Sequence, residues 1–248
     1  MIDPRLKLID KKLEKVESII LFGSGKGGVG KSIISSAISY ILSSRGESVA
    51  YIDLDFYGSA GSNLFTINSQ IRGCRGGIEL PVSDGVKVIS TGYFLSDNPF
   101  PLMGKDKLDL LLDLFSAIDF GSLDFMIIDL PPGMGDEITF TQRMFKDKVS
   151  VALVTVSSEM SLTVVERLIK YISAERINLL GVIVNMVNLF RNYRLEELKD
   201  RLQTRILGMV SYHPEIELFR TIKEKLENTP SFKNELEEVV ENILECFR

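Results

Sequence analysis

Residues 18–32 read SIILFGSGKGGVGKS. The apolar run Ile19–Phe22 leads into a cluster of glycines, and the residues after Lys31 return to apolar positions at helical spacing. This is the order of a strand, a glycine loop and a helix start. Within the loop Gly25, Gly30, Lys31 and Ser32 fit the spacing G-x-x-x-x-G-K-[ST]. Glycines let successive backbone N–H groups converge on anionic oxygens, and the helix start adds a partial positive charge. The stretch Gly25, Lys26, Gly27, Gly28, Val29, Gly30, Lys31, Ser32 is therefore expected to cradle the phosphates of a nucleoside triphosphate, ATP before any other. Lys31 would reach the β- and γ-phosphates, and the Ser32 hydroxyl would meet magnesium.

A second pattern overlaps the first. Gly23, Gly25 and Gly28 fit G-x-G-x-x-G, and Asp53 lies near the end of the next apolar run, as in a dinucleotide-binding fingerprint. That reading leaves Lys31 and Ser32 without a task and does not require a second acid at a strand end. The chain has such an acid, so the triphosphate reading is preferred.

The second acid is Asp129, at the end of the apolar run in DFMIIDLPPG. A carboxylate at that strand tip can hold magnesium directly or through its water shell. The two prolines stop the strand, and Gly133 and Gly135 allow the following loop to move with the γ-phosphate. Asp136 is equally well explained as the cap of a helix. The segment YIDLDFYG contributes Asp53 and Asp55, which as alternate strand residues would share one face. One could support magnesium and the other orient the attacking water, Asp55 being favoured for the water. The bland alternative is that one of them only caps the next helix.

Around these motifs, strand-like runs at 18–24, 48–53, 86–91, 124–130, 149–157, 178–184 and 205–210 alternate with helix-like segments at 31–45, 105–118, 160–174 and 194–202. This alternation, with near-continuous apolar strands, implies a single α/β domain, a doubly wound and mainly parallel sheet covered by helices, here of the P-loop kind. Two amphipathic helices flank it: 4–16 with Leu6, Ile9, Leu13 and Val16 on one stripe, and 232–247. Residues 1–17 are read as an N-terminal amphipathic extension and 18–248 as the nucleotide domain.

The net charge of −5 disfavours nucleic acid and anionic membrane as partners. The glutamate-rich polar face of the C-terminal helix argues against a membrane anchor. A charged N-terminus and the lack of a long apolar run point to a cytoplasmic protein. The two cysteines, Cys74 and Cys246, form no CxxC. Cys74 stands between Arg72 and Arg75 without a second ligand nearby in sequence. His213 is the single histidine and has no nucleophile partner that would make a triad.

The loop GKGGVGKS carries a second lysine, Lys26, and so resembles the deviant phosphate loop of the Mrp/MinD/ParA ATPases. The resemblance implies a homodimer closed around two ATP molecules, with Lys26 crossing onto the partner's nucleotide. DLDFYGSAGS resembles the family's first switch and DFMIIDLPPGMGD its second, in the PPGxGD form of the Mrp branch. GVIVNM resembles the strand whose asparagine, here Asn185, contacts adenine. SYHPEI resembles the segment, here near His213 and Pro214, that closes over the base. The resemblance runs from residue 18 to about 228. It makes Lys26, Lys31, Asp53 and Asp55 the candidate catalytic set and Ser32, Asp53 and Asp129 the candidate magnesium ligands.

One departure stands out. Mrp-type iron–sulfur carriers usually have a CxxC shortly after the NM dipeptide, and this chain reads NMVNLFRNYRLEEL. The MIDPR start and the DLDFYG switch look like an archaeal Mrp/MinD-type ATPase that assists nickel insertion into hydrogenases. The implied function is an ATP-hydrolysing dimeric switch in metallocofactor assembly. It would act on a client or accessory maturation protein, docked through the N-terminal helix in one reading and with that helix as part of the core in the other. An iron–sulfur cluster carrier of the Mrp type and a MinD/ParA-like positioning ATPase are the alternatives.

Overall fold

The computed structural model describes residues 3–55, 61–67, 72–90, 105–133, 136–145, 148–190 and 193–248. The elements follow the apolar runs. Strand β1 (Val16–Gly23) leads to helix α2 (Lys31–Ser44), preceded by α1 (Pro4–Leu13). Then come β2 (Val49–Asp53), α3 (Gly61–Leu64), β3 (Arg72–Cys74), β4 (Gly77–Glu79), β5 (Val82–Ser83) and β6 (Val86–Ser90). Next are α4 (Lys105–Ala117), β7 (Ile118–Asp119), β8 (Leu123–Asp129), α5 (Asp136–Phe145) and β9 (Val149–Val156). The chain ends with α6 (Glu159–Ala174), β10 (Asn178–Asn185), α7 (Leu195–Leu202), β11 (Ile206–Met209), a short 3-10 turn (Pro214–Leu218), α8 (Ile222–Asn228), α9 (Pro230–Leu244) and a final 3-10 turn.

An eight-stranded sheet runs β11-β10-β9-β1-β8-β2-β6-β5. Its pairs are parallel except β5 with β6. The short strands β3, β4 and β7 form a separate small sheet. Alternate residues of β1 explain the double winding. Ile19 and Leu21 enter a core with α1, α4, α5, α6 and α7, while Ile20 and Phe22 enter a second core with α2, α3, α8 and α9. β1 lies between β8 and β9, which leave it in opposite directions along the sheet. Ligands of open α/β sheets bind at the carboxyl ends of strands beside such a reversal.

The N-terminal stripe corrects one expectation. The helix ends at Leu13, and Val16 already belongs to β1. A boundary after residue 17 therefore falls inside the central strand. Ile9, Leu13 and Val16 are fully or almost fully buried in the first core, with Leu6 packed against it. Arg5 ties the helix to α4 through Asp109 and Asp113 at 2.8 and 2.7 Å. Lys148 donates to the carbonyls of Leu13 and Val16. Burial at the core outweighs any freedom of the stripe, so it is not available to a client groove.

Candidate functional site

The phosphate loop leaves β1 at Gly23 and re-enters regular structure at Lys31. The N-cap of α2 is Gly30, with φ +82° and no side-chain cap, and the first turn holds no acid. A helix start leaves unsatisfied N–H groups and a partial positive charge, and here no side chain consumes either. Gly30 admits no replacement: its φ is left-handed, and a Cβ would meet Asn185 Nδ2 at 2.3 Å. That Asn185 amide donates to the Val29 carbonyl at 2.9 Å and so pins the loop to the end of β10. Gly25 is held equally tightly, since a Cβ would meet the Val164 side chain of α6 at 2.4 Å. Gly27 and Gly28 are exposed and Val29 is buried. Lys26 is half-exposed, and its amine has no hydrogen-bond or ion-pair partner among the described residues. The same holds for the half-buried Ser32 hydroxyl.

The acids lie in one row across the sheet. Phe22 of β1 is level with Asp129 of β8, Asp129 with Asp53 of β2, and Asp53 with Ser90 of β6. Lys31 Nζ stands 2.5 Å from Asp129 Oδ1, with both side chains buried, and the Tyr51 hydroxyl donates to Asp129 Oδ2 at 3.3 Å. Asp53, also fully buried, accepts from the N–H of Asp55 on Oδ1 and from the N–H of Gly61 and the Ser90 hydroxyl on Oδ2. Burial, and then the charge of Asp129, raise the Asp53 carboxyl to about 6, against the lowering effect of those N–H groups and Lys31. Burial, then the same two acids, hold the Tyr51 phenol well above its ordinary range.

Asp55 corrects a second expectation. β2 ends at Asp53, so strand alternation does not reach Asp55. The Asp53 carboxylate captures the N–H two residues on, an Asx-type turn that diverts the chain out of the sheet. Residues 56–60 of the first switch-like segment and 134–135 of the second, including Gly135, lie outside the described residues, as does the Asp136 side chain. The helix α5 does begin at Asp136. The loop after β8 hangs on the phosphate loop, because the Gly133 N–H donates to the Ser24 carbonyl at 2.9 Å.

Beside the loop lies a narrow cavity of about 30 Å³. Gly30 and Asn185 line one side, and Ser211, His213, Ile216 and Phe232 are among those lining the other. Asn185 and His213, far apart in sequence, are thus brought together, whereas Pro214 is exposed and not part of the lining. Room for about one water is too little for a nucleobase, so a base would have to displace the 211–217 segment.

The family described as ParA, NUBPL iron-transfer P-loop NTPase, matches residues 15–245. The chain belongs to this family. A protein of Aquifex aeolicus named iron-sulfur cluster carrier protein is 31% identical over 226 residues, which are 83% of this chain and 60% of that protein. The chain thus spans about three fifths of that relative's length. In fold it is similar to a nucleotide-binding protein of Archaeoglobus fulgidus solved with ADP, with TM-score 0.73, 23% identity and 93% of each chain covered. It is also similar to the cell division ATPase MinD of Pyrococcus furiosus, with TM-score 0.66, 18% identity, and 93% and 99% covered.

The chain is thus a P-loop NTPase of this family, and its two cysteines stand in separate elements. Cys74 is exposed in β3, with its thiol 3.6 Å from an Asp119 oxygen, and Cys246 is exposed in the last turn. Among the described residues no three His, Cys, Asp or Glu side chains are grouped to hold a metal ion. No described helix is long and apolar enough to cross a membrane. The nickel-insertion expectation gains nothing from the family description or from the Aquifex aeolicus relative, which speak of iron and of iron–sulfur clusters. Several site residues were given no site role by the sequence: Tyr51, Gly61 and Ser90 around the acids, and Ser211, Phe232 and Glu235 around the cavity. Each is set by a contact between distant segments rather than by spacing.

Proposed function

We propose that this protein is a magnesium- and ATP-dependent ATPase that closes as a homodimer and serves iron–sulfur cluster delivery to a client protein. The observation that carries the reading is the uncapped start of α2 under a glycine loop, with Lys31 behind it and no acid in the first turn. Iron–sulfur clusters are preferred over nickel as cargo because of the relatives' names.

Lys31 and Asp129 satisfy each other while buried. An arriving phosphate gives Lys31 a second partner and frees the Asp129 carboxylate. Ser32, Asp53 and Asp129 are hard oxygen donors suited to magnesium. That ion would neutralise charge developing on the phosphates. Lys26, whose amine has no partner among the described residues, would do the same for the nucleotide of the second copy. Asp55, turned out of the sheet, would orient the attacking water. The Gly133–Ser24 hydrogen bond gives the loop after β8 a direct link to the phosphate loop, and so a route from nucleotide state to client surface.

The cluster is cargo. With only two cysteines in the chain, its ligands would come from the client. The test is cluster transfer from a loaded scaffold protein to an apo-ferredoxin in the presence of this protein, with sedimentation measured in parallel. Transfer and dimerisation that both respond to Mg-ATP are expected. A monomer blind to ATP, with transfer equally blind, would overturn the reading.

A further inference from the structure

Tyr51 is a fully buried tyrosine in the middle of β2. A buried phenol needs a partner for its oxygen, and this one finds it among the acids. Tyr51 is level with Ile127 of β8, two residues before Asp129. Its ring spans that gap along the sheet, and its hydroxyl donates to Asp129 Oδ2 at 3.3 Å while Lys31 holds Oδ1. Among the described residues these are the two side chains that grip the Asp129 carboxylate. The ring is wedged in place. It packs against Phe65 at 5.1 Å, and a Cβ on Gly61 would meet it at 2.8 Å. From the other side, Ser35 of α2 hydrogen-bonds the phenol and also donates to the Ser32 carbonyl at 3.2 Å. Tyr51 is therefore clamped between the first turn of α2 and the helix that follows the first switch-like segment.

The two grips on Asp129 differ once a nucleotide arrives. Lys31 is the group that phosphate recruits, so its hold on Oδ1 weakens. Tyr51 lies behind the acids, and its hold on Oδ2 persists. Burial and the neighbouring acids keep the phenol protonated, so it remains a donor. We propose that Tyr51 is a positioning residue for magnesium: its hydroxyl keeps the Asp129 carboxylate aimed into the site after Lys31 turns to phosphate, leaving the other oxygen free for the ion. This rests on the nucleotide and magnesium reading above. A carboxylate held through one oxygen presents the other in a fixed direction, whereas an unheld one must give up its rotation on meeting the ion.

The test is calorimetric titration of ATP into the full chain, once with magnesium and once with EDTA. Tyr51→Phe keeps the ring against Phe65 and removes only the hydroxyl. The factor by which magnesium tightens ATP binding should shrink about 10-fold in this variant, the lower end of the scale for a group that orients a metal-binding carboxylate. Affinity in EDTA should match wild type. Ser35→Ala, which withdraws support from the phenol, should show a smaller loss in the same direction and serves if Tyr51→Phe does not fold. In an Asp129→Asn background, Tyr51→Phe should cause no further loss, because the group it positions is gone. Equal loss with magnesium and with EDTA would show general damage and overturn the proposal. An unchanged magnesium factor in Tyr51→Phe would overturn it, as would a full further loss in the Asp129→Asn background. Wild-type protein binding ATP equally well with and without magnesium would overturn it too, while leaving the phosphate loop intact. Wild-type protein binding ATP under neither condition would bring down the nucleotide reading itself.

Discussion

Lys31 Nζ and Asp129 Oδ1 are 2.5 Å apart in the core of the site, at 5% and 0% side-chain exposure. A buried pair of this kind is costly to break from one side only, because the surviving charge loses its partner. Lys31→Met should therefore destabilise the ligand-free protein by about 3 kcal/mol and abolish nucleotide binding. Adding Asp129→Asn should restore much of the stability and none of the binding. Chemical denaturation of the two variants, with calorimetry of Mg-ATP, reads both effects. A double variant as unstable as the single one would show that the pair is not coupled.

Asp53 gives a pH signature. Its folded carboxyl is raised to about 6 from an ordinary 3.8. A raised carboxyl holds its proton more tightly when folded, so its contribution is full below about pH 4 and is lost as pH rises through about 6. The interval corresponds to about 3 kcal/mol. In metal-free buffer, Asp53→Asn should gain stability relative to wild type by up to about 3 kcal/mol between pH 4 and 7, whatever its offset at pH 4. A pH-independent difference would mean that Asp53 ionises normally.

Lys26 and Asp55 separate binding from turnover. Lys26→Ala should keep nucleotide affinity while losing ATP-driven dimerisation and hydrolysis, since its amine has no other partner among the described residues to give up. Asp55→Asn should bind ATP and hydrolyse it roughly 100- to 10,000-fold more slowly. Single-turnover hydrolysis at wild-type rate in Asp55→Asn would move the water-orienting role elsewhere.

The strands and the phosphate loop were legible because their signals are local: apolar runs, glycine spacing, a lysine and a serine at fixed offsets. Each of the seven long strand-like runs is a strand of the main sheet. The short α3 and α8 were not read, and α5 only as a helix capped at Asp136; nor were β3, β4, β5 and β7, whose two or three residues carry no period. Asp55 misled because strand alternation presumes that the strand continues, and the Asp53 side chain ends it. The N-terminal stripe was legible as a helix but not in its destination, which Arg5 and Lys148 fix through residues more than a hundred positions away.

That destination makes its own prediction. Ile9 is fully buried, so Ile9→Ala should cost about 2–5 kcal/mol. Deleting residues 1–15 should lower the melting temperature sharply. A truncated protein with unchanged melting temperature would return the helix to the role of a free docking element.

The cysteines bear on the cargo. Reconstitution of the isolated protein with iron and sulfide under anaerobic conditions should leave no stable cluster, because Cys74 and Cys246 lack neighbouring ligands among the described residues. A reproducible cluster lost in Cys74→Ser would instead make the chain a carrier with its own binding site.

The central claim is that the loop from Gly25 to Ser32 binds a nucleoside triphosphate for this protein to act as a switch. Calorimetric titration of Mg-ATP into wild type and Lys31→Ala tests it most directly. The account predicts saturable binding by wild type and none by the variant. Equal affinity in the two proteins would contradict it.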